Sequence, residues 1–93
     1  MSRSPLPEGE ISARLNTVPS WRREGHEITR TFTFPDFRAA LAFVNKTGDL
    51  AEAAGHHPDI DIRYNRVRLA LTTHDAGGLT ANDFDLAAKI NTL

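Results

Sequence analysis

The sequence predicts an α+β domain in which a four-stranded antiparallel sheet carries three helices on one face, in the order α-β-β-α-β-β-α. Residues 59–64 and 67–72 alternate between apolar and polar side chains, and Asn65-Arg66 between them is a two-residue turn, as a β-hairpin requires. Residues 37–54 instead carry apolar side chains at three- and four-residue spacings, the pattern of an amphipathic helix. Tight hairpins join antiparallel strands, so the sheet is predicted to be antiparallel.

The first part of the chain predicts a short helix and a first hairpin. Ile11 and Leu15 lie four residues apart and would share one face of a helix over residues 8–15. Residues 21–24 and 27–34 then form two strands, joined by a glycine-containing turn.

The two later helices carry end signals. Asp36 is predicted to cap the long helix and Gly55 to end it in a left-handed conformation. Gly48 lies inside this helix, where glycine is about 1 kcal/mol less favourable than alanine. The helix is expected to continue through Gly48; the alternative is that Gly48 marks a close approach to a neighbouring element. Thr80 and Asp83 predict a capping box at the last helix. The predicted apolar stripe of the long helix consists of Phe37, Ala40, Leu41, Val44, Ala51 and Ala54.

Length and composition predict a single domain over residues 1–93. Apolar residues make up 40% of the chain, and no stretch is long and apolar enough to cross a bilayer. A formal charge of −1 gives no broad basic field, so direct binding of nucleic acid is not expected. Cysteine is absent, which excludes disulfides and a thiol nucleophile, and the N-terminus does not resemble a signal peptide, so a cytoplasmic location is expected.

Three histidines lie where two loops of the predicted fold meet. His56 and His57 stand between the long helix and the second hairpin, and His74 follows the last strand. Both loops belong to the open end of that hairpin, so the three imidazoles are expected at one rim of the sheet. Histidine exchanges protons near neutral pH, with a reference pKa of about 6.5. This arrangement predicts an acid–base site.

The neighbours of the histidine pair suggest how it is held. Consecutive residues in extended backbone point to opposite faces, so one of His56 and His57 is expected to face the cleft while the other orients. Glu52 precedes His56 by one helical turn, which brings its carboxylate within reach of that imidazole. Pro58 stiffens the exit and favours extended geometry at His57.

Several of these residues also have structural explanations. His26 is expected on the turn of the first hairpin, as a surface residue. Asp83 suits the first turn of a helix on electrostatic grounds alone, and a lone tryptophan such as Trp21 is more typical of a core. Three histidines and a glutamate can also bind zinc, but adjacent imidazoles seldom converge on one ion, so no metal site is expected.

The sequence resembles the pterin-4a-carbinolamine dehydratase family, whose signature it fits without a gap. The signature runs Glu52-x-x-x-His56-His57-Pro58, five residues, Tyr64, nine residues, His74, eight residues, Asp83. The resemblance covers nearly the whole chain from about Leu6. It includes the segments Pro19-Ser20-Trp21, Phe32 to Phe37 and Gly77 to Thr80.

The resemblance implies removal of water from 4a-hydroxytetrahydropterin, the spent cofactor of aromatic amino acid hydroxylases, to give quinonoid dihydropterin. It implies no metal or organic cofactor, and a dimer or tetramer, in keeping with the two edges that a four-stranded sheet leaves open. The reaction needs one proton delivered to the leaving oxygen and one removed from a ring nitrogen, which imidazoles can do. The implied site comprises His56, His57 and His74, supported by Glu52, Pro58, Trp21 and Asp83, with His57 or His74 as acid and His56 as binder or base.

Two other functions of the scaffold stay open. Animal relatives also act as dimerisation cofactors for a homeodomain transcription factor, and some relatives act as assembly factors or chaperones. A similar fold does not transfer a binding surface, and the intact histidine set favours the enzyme. Departures from the family pattern are small: Ile60 stands where many relatives carry an aromatic residue, and Gly55 where others carry a polar one.

Overall fold

The computed structural model describes residues 4–93, so the first three residues of the predicted domain lie outside the described part. It contains a four-stranded antiparallel sheet in the order β1-β2-β4-β3 and three helices, which confirms the predicted α+β fold. None of the described helices is both long and apolar enough to span a membrane. The elements are α1 (Glu8–Leu15), β1 (Arg22–Glu24), β2 (Glu27–Thr33), α2 (Phe37–Ala54), β3 (Asp59–Arg63), β4 (Arg66–Leu71) and α3 (Ala81–Ile90), with a short 3₁₀ turn at His74–Ala76.

The two faces of the sheet differ in polarity because side chains alternate along each strand. On the central strand β4, Val67, Leu69 and Leu71 are buried towards the helices, while Arg66 and Arg68 are exposed on the other face. The core between sheet and helices contains aliphatic and aromatic side chains from every helix. Its largest members include Ile11, Trp21, Ile28, Phe43, Phe84, Leu86 and Ile90.

The predicted helix ends are confirmed. The Asp36 side chain accepts a hydrogen bond from the Ala39 backbone N–H at 2.8 Å, and Gly55 ends α2 with φ 62°. Thr80 and Asp83 form the reciprocal capping box at α3. Helix α2 runs continuously through Gly48, where an added Cβ would meet nothing within 4 Å, so the alternative of a close approach is not supported.

The buried stripe of α2 differs from the predicted one. Four positions spaced by three or four residues are buried, whereas Phe37 and Leu41 are 45% and 40% exposed and Ala54 is exposed. The stripe is rotated because Phe43 packs against two aromatic rings of the β2 end, with its centroid 4.5 Å from that of Phe32 and 4.9 Å from that of Phe34. The buried positions are Ala40, Phe43, Thr47 and Ala51.

The turn of the second hairpin lies one residue earlier than predicted. Arg63 pairs directly with Arg66, so Tyr64 and Asn65 form the turn, and Tyr64 has a positive φ of 49°. Asn65 holds this position through two bonds to Phe34: its side-chain N–H₂ donates to the Phe34 carbonyl, and its own carbonyl accepts from the Phe34 N–H, both at 2.9 Å. The sequence of the hairpin did not predict this turn position, which is held by contacts with Phe34 outside the hairpin.

Candidate active site

The sheet topology gathers all four histidines at one end of the sheet. Strand β4 is central, and the neighbours of its last residues are the start of β3, through Asp59 and Ala70, and the start of β2, through Ile28 and Leu71. The segment after β4 therefore lies between the loop that leads into β3 and the turn that leads into β2. His74 stands in that segment, with His56 and His57 on one side and His26 on the other.

His56, His57 and His74 line one cavity with a volume of about 240 Å³. His74 begins the 3₁₀ turn, is separated from the end of β4 by Thr72 and Thr73, and is exposed. Its position is fixed at the backbone, where Thr73 pairs with Gly78 across the base of the loop and the Gly77 N–H donates to the His74 carbonyl at 3.0 Å. The cavity is completed by Gly55, Thr72, Thr73 and Asp75.

Asp83 is fully buried and holds His56. Its Oδ1 lies 2.5 Å from Nε2 of His56, while its Oδ2 accepts from the Thr73 hydroxyl and the Thr80 backbone N–H, each at 2.9 Å. The bond to Thr80 belongs to the capping box of α3, so one carboxylate both begins the helix and orients an imidazole. The helix-terminal explanation of Asp83 is therefore confirmed, and the same carboxylate also contacts His56.

Glu52 pairs with His57, whereas the sequence placed its carboxylate beside His56. The Glu52 carboxylate is hydrogen-bonded to Nε2 of His57, and both side chains are mostly exposed, at 78% and 63%. The reason is the chain reversal at Gly55: the His56 N–H bonds back to the Ala51 carbonyl, and its side chain turns inward, 14% exposed. The two imidazoles thus differ in environment, and each has its own carboxylate.

The two other predicted supporting residues lie apart from the imidazoles' hydrogen bonds. Pro58 is half-buried and leads directly into β3. Trp21 is 3% exposed within the core, its indole N–H donates to Asn91 Oδ1 at 2.8 Å, and its ring meets Phe32 edge-on. Trp21 does not line the histidine cavity, so the core explanation of this residue is the one that the structure favours.

A second cavity of about 340 Å³ lies on the other side of His74. His26, which the sequence assigned to an exposed turn, is one of its walls. The sequence indicated the first hairpin but not its neighbour in the sheet. Pairing of β2 with β4 brings the turn that carries His26 beside the end of β4. The lining residues are Glu24, His26, Glu27, Thr72, His74, Gly77 and Gly78.

The carboxylate of Glu24, at this second cavity, is fixed by contacts with neighbouring side chains. The Thr29 hydroxyl donates to it, and this bond is the main cause that lowers the pKa of Glu24 below its ordinary value; the charge of Arg68 acts in the same direction. Arg68 Nη2 lies 3.4 Å from Glu24 Oε1 and 3.9 Å from Glu27 Oε1. Glu24 therefore stays ionised at neutral pH.

The arrangement suits proton transfer. Among residues 4–93, no group of three or more histidines and carboxylates is placed to hold a metal ion. The histidine cavity instead offers two imidazoles whose Nε2 atoms are engaged by carboxylates, and a third, on His74, that is exposed. Binding of Nε2 leaves Nδ1 of each paired ring free to accept or donate a proton.

Comparisons with known proteins agree with the sequence resemblance. A family model described as pterin 4 alpha carbinolamine dehydratase matches residues 4–93. Relatives from Acidobacterium capsulatum and Chloroflexus aurantiacus, both named provisionally as pterin-4-alpha-carbinolamine dehydratases, are each 65% identical. The first match covers 89% of this chain and 90% of the relative, and the second covers 92% of each.

Two solved structures resemble the fold. A transcriptional coactivator/pterin dehydratase from Brucella melitensis superposes with a TM-score of 0.91 at 35% identity, covering 96% of this chain and 97% of the other. A pterin dehydratase-like protein identified as a RuBisCO assembly factor in the alpha-carboxysome superposes with a TM-score of 0.68 at 28% identity, covering 78% and 87%.

Proposed function

This chain belongs to the pterin-4-alpha-carbinolamine dehydratase family, and from that premise we propose that it removes water from 4a-hydroxytetrahydropterin to give quinonoid dihydropterin. A separate reductase would then convert this product to the tetrahydropterin that an aromatic amino acid hydroxylase uses as its cofactor, in the cytoplasm. The observation that carries the proposal is the cavity shared by His56, His57 and His74, which supplies three imidazoles around one volume.

The chemistry divides into two proton transfers. The bond between C4a and the hydroxyl oxygen breaks as a proton reaches that oxygen, and water leaves. The lone pair of the neighbouring ring nitrogen N5 forms a double bond to C4a, and the N5 proton is lost to a base. Positioned acids and bases are typically worth about 10² to 10⁴ in rate for such steps.

The hydrogen bonds support a division of roles. His56 donates from Nε2 to the buried Asp83, which leaves Nδ1 as an acceptor and suits His56 to bind the ring or take its proton. His57 or His74, both more exposed, then delivers the proton to the leaving oxygen. Glu52 orients His57 through a hydrogen bond to Nε2 of that imidazole, which is the supporting role that the resemblance implies.

The test is the rate at which purified protein speeds dehydration of freshly generated 4a-hydroxytetrahydropterin, followed by ultraviolet absorbance with a chelator present. We expect clear acceleration over the spontaneous reaction. A folded protein that gives no acceleration would overturn the enzymatic proposal.

A second candidate function is a binding role, which the structural likeness to an assembly factor favours. His57→Ala separates the two: an enzyme loses turnover while folding and partner binding persist, whereas a binding protein keeps its phenotype.

Self-association is part of the proposal. The sheet leaves β1 and β3 as edges, and Phe37 and Leu41 present apolar surface one turn apart on α2. We propose a homo-oligomer, a dimer or a tetramer, in which a second copy covers these residues.

A further inference from the structure

We propose that Thr73 is a positioning residue, which holds His56 through its side chain and His74 through its backbone. Thr73 lines the histidine cavity but is only 3% exposed, and its hydroxyl is turned towards buried groups. It would therefore act on the chemistry through the Asp83 carboxylate and not by touching the substrate. The expected effect on catalysis rests on the proposed function, whereas the effect on the orientation of His56 does not.

The hydroxyl of Thr73 belongs to a chain of hydrogen bonds whose direction can be assigned. It donates to Oδ2 of Asp83 at 2.9 Å. A hydroxyl has one proton, so in the second bond, 2.8 Å long, Thr73 accepts and the Thr80 hydroxyl donates. The Thr80 oxygen itself accepts from the Asn82 N–H at 3.3 Å. The chain therefore runs from the start of α3 to the carboxylate, and each bond polarises the next.

The bond from Thr73 determines which oxygen of Asp83 faces His56. Oδ2 accepts from the Thr73 hydroxyl and the Thr80 N–H, so two donors occupy this oxygen. Oδ1 is left for Nε2 of His56, at 2.5 Å. Because Asp83 is fully buried, solvent does not supply a donor in place of a lost one. Without the Thr73 hydroxyl, only the Thr80 N–H holds Oδ2, and the carboxylate can turn relative to the imidazole.

The backbone of the same residue holds the loop that carries His74. The Thr73 N–H donates to the Gly78 carbonyl at 3.0 Å. The Thr73 carbonyl accepts from the Ala76 N–H at 3.0 Å and the Gly78 N–H at 3.3 Å. These bonds close the loop around His74. One residue thus sets the relation between two imidazoles that come from separate segments, as a fixed acid–base pair requires.

Three variants separate the hydroxyl of Thr73 from its packing. Thr73→Val keeps the shape of the side chain without the hydroxyl, Thr73→Ser keeps the hydroxyl without the methyl group, and Thr73→Ala removes both. We expect the kcat of dehydration to fall by roughly 2- to 10-fold in Thr73→Val, the equivalent of one hydrogen bond, with KM unchanged. Thr73→Ser should keep the wild-type kcat. If Thr73→Val does not fold, the serine and alanine variants, which differ only by the hydroxyl, give the same comparison.

Nuclear magnetic resonance of the protein with isotope-labelled histidine measures the positioning without turnover. The ring signals of His56 should shift in Thr73→Val, and its Nε2 proton should exchange faster with solvent, whereas Thr73→Ser should give the wild-type spectrum. Thr47→Val is the matched control. Thr47 is also buried, its hydroxyl has no hydrogen-bond partner among residues 4–93, and it does not line the histidine cavity. This variant should change neither kcat nor the His56 signals.

The results can contradict the role of Thr73 in three ways. Unchanged His56 ring signals in a folded Thr73→Val variant would overturn it. An equal loss of kcat in the valine and serine variants would overturn it too, since packing would then be the cause. A rise in KM instead of a fall in kcat would point to direct contact with the substrate. A wild-type protein without turnover would count against the proposed function, and the His56 signals would still decide the role of Thr73.

Discussion

The Asp83 carboxylate, fully buried, lies 2.5 Å from the imidazole of His56, a residue 27 positions earlier in the chain. The same carboxylate caps helix α3 through the Thr80 N–H and accepts from the Thr73 hydroxyl. Three segments of the fold therefore meet at one side chain. Because a buried carboxylate is costly unless it is fully hydrogen-bonded, the orientation of His56 is coupled to the stability of the domain.

Asp83→Asn tests this coupling. The amide keeps one acceptor oxygen but presents N–H₂ where a second acceptor is needed, so we expect the free energy of unfolding to fall by about 1–3 kcal/mol in urea titrations. The kcat of dehydration should also fall, because the His56 tautomer is no longer fixed. Asp85→Asn, exposed on the same helix, is the matched control and should alter neither. An unchanged kcat in a folded Asp83→Asn variant would reduce Asp83 to a helix cap.

Alanine variants of the three cavity histidines should separate chemistry from structure. Loss of an imidazole that transfers a proton should lower kcat by about 10² to 10⁴. His56→Ala should also destabilise the fold, since it leaves the buried Asp83 without one partner, whereas His57→Ala should not, because Glu52 is exposed to water. The kcat of each variant and its free energy of unfolding in urea check these expectations. An equal loss of stability in His56→Ala and His57→Ala would contradict the expected difference between them.

Leu41→Asp should weaken self-association. The substitution places a charge on the apolar surface that Leu41 and Phe37 expose on α2, and burying that charge against a second copy is unfavourable. Sedimentation equilibrium should show a lower average mass than for the wild type. Ala42→Asp adds the same charge on an exposed position of the same helix but on another face, and it should leave the mass unchanged. A monomeric wild type would remove the basis of the oligomer proposal.

Tyr64→Gly should stabilise the protein. Tyr64 occupies the left-handed region at φ 49°, where a Cβ costs about 1–2 kcal/mol and glycine does not pay this cost. The matched variant Tyr64→Ala removes the ring but keeps the Cβ. We expect the glycine variant to be about 1 kcal/mol more stable than the alanine variant in urea. Equal stabilities would mean that the turn relaxes at little cost.

The ion pair between Glu8 and Arg23 should give a pH-dependent contribution to stability. The hydrogen bond from Arg23 holds the pKa of Glu8 below its ordinary value, so the contribution is present above the unfolded carboxyl pKa of about 4.3 and is lost as pH falls through the lower folded value. The Tm difference between wild type and Glu8→Gln should therefore be largest near neutral pH and shrink below about pH 4. High salt should shrink it at any pH, because both groups are at the surface. A difference that grows on acidification would contradict this assignment.

Local signals in the sequence determined most of the fold. The alternation of the strands, the caps at Asp36 and Thr80 and the left-handed Gly55 each depend on a few neighbouring residues, so the elements and their order could be predicted. The histidine spacing and the family signature likewise lie in the chain itself. The meeting of His56, His57 and His74 at one rim followed from the hairpin topology.

Only the tertiary structure decided the pairings. Moving the turn from residues 65–66 to 64–65 shifts the strand register by two residues, which keeps Ile60 and Ile62 on the same face of the sheet. The hydrophobic pattern therefore cannot distinguish the two turns. The hydrogen bonds between Asn65 and Phe34 favour the observed one. The buried stripe of α2 depends on the aromatic rings that meet Phe43, which lie on another element. The partners of the histidines follow the same rule. Sequence spacing brings Glu52 near the histidine pair, and the fold brings Asp83 there. Because the chain reverses at Gly55, His57 pairs with Glu52 and His56 pairs with Asp83.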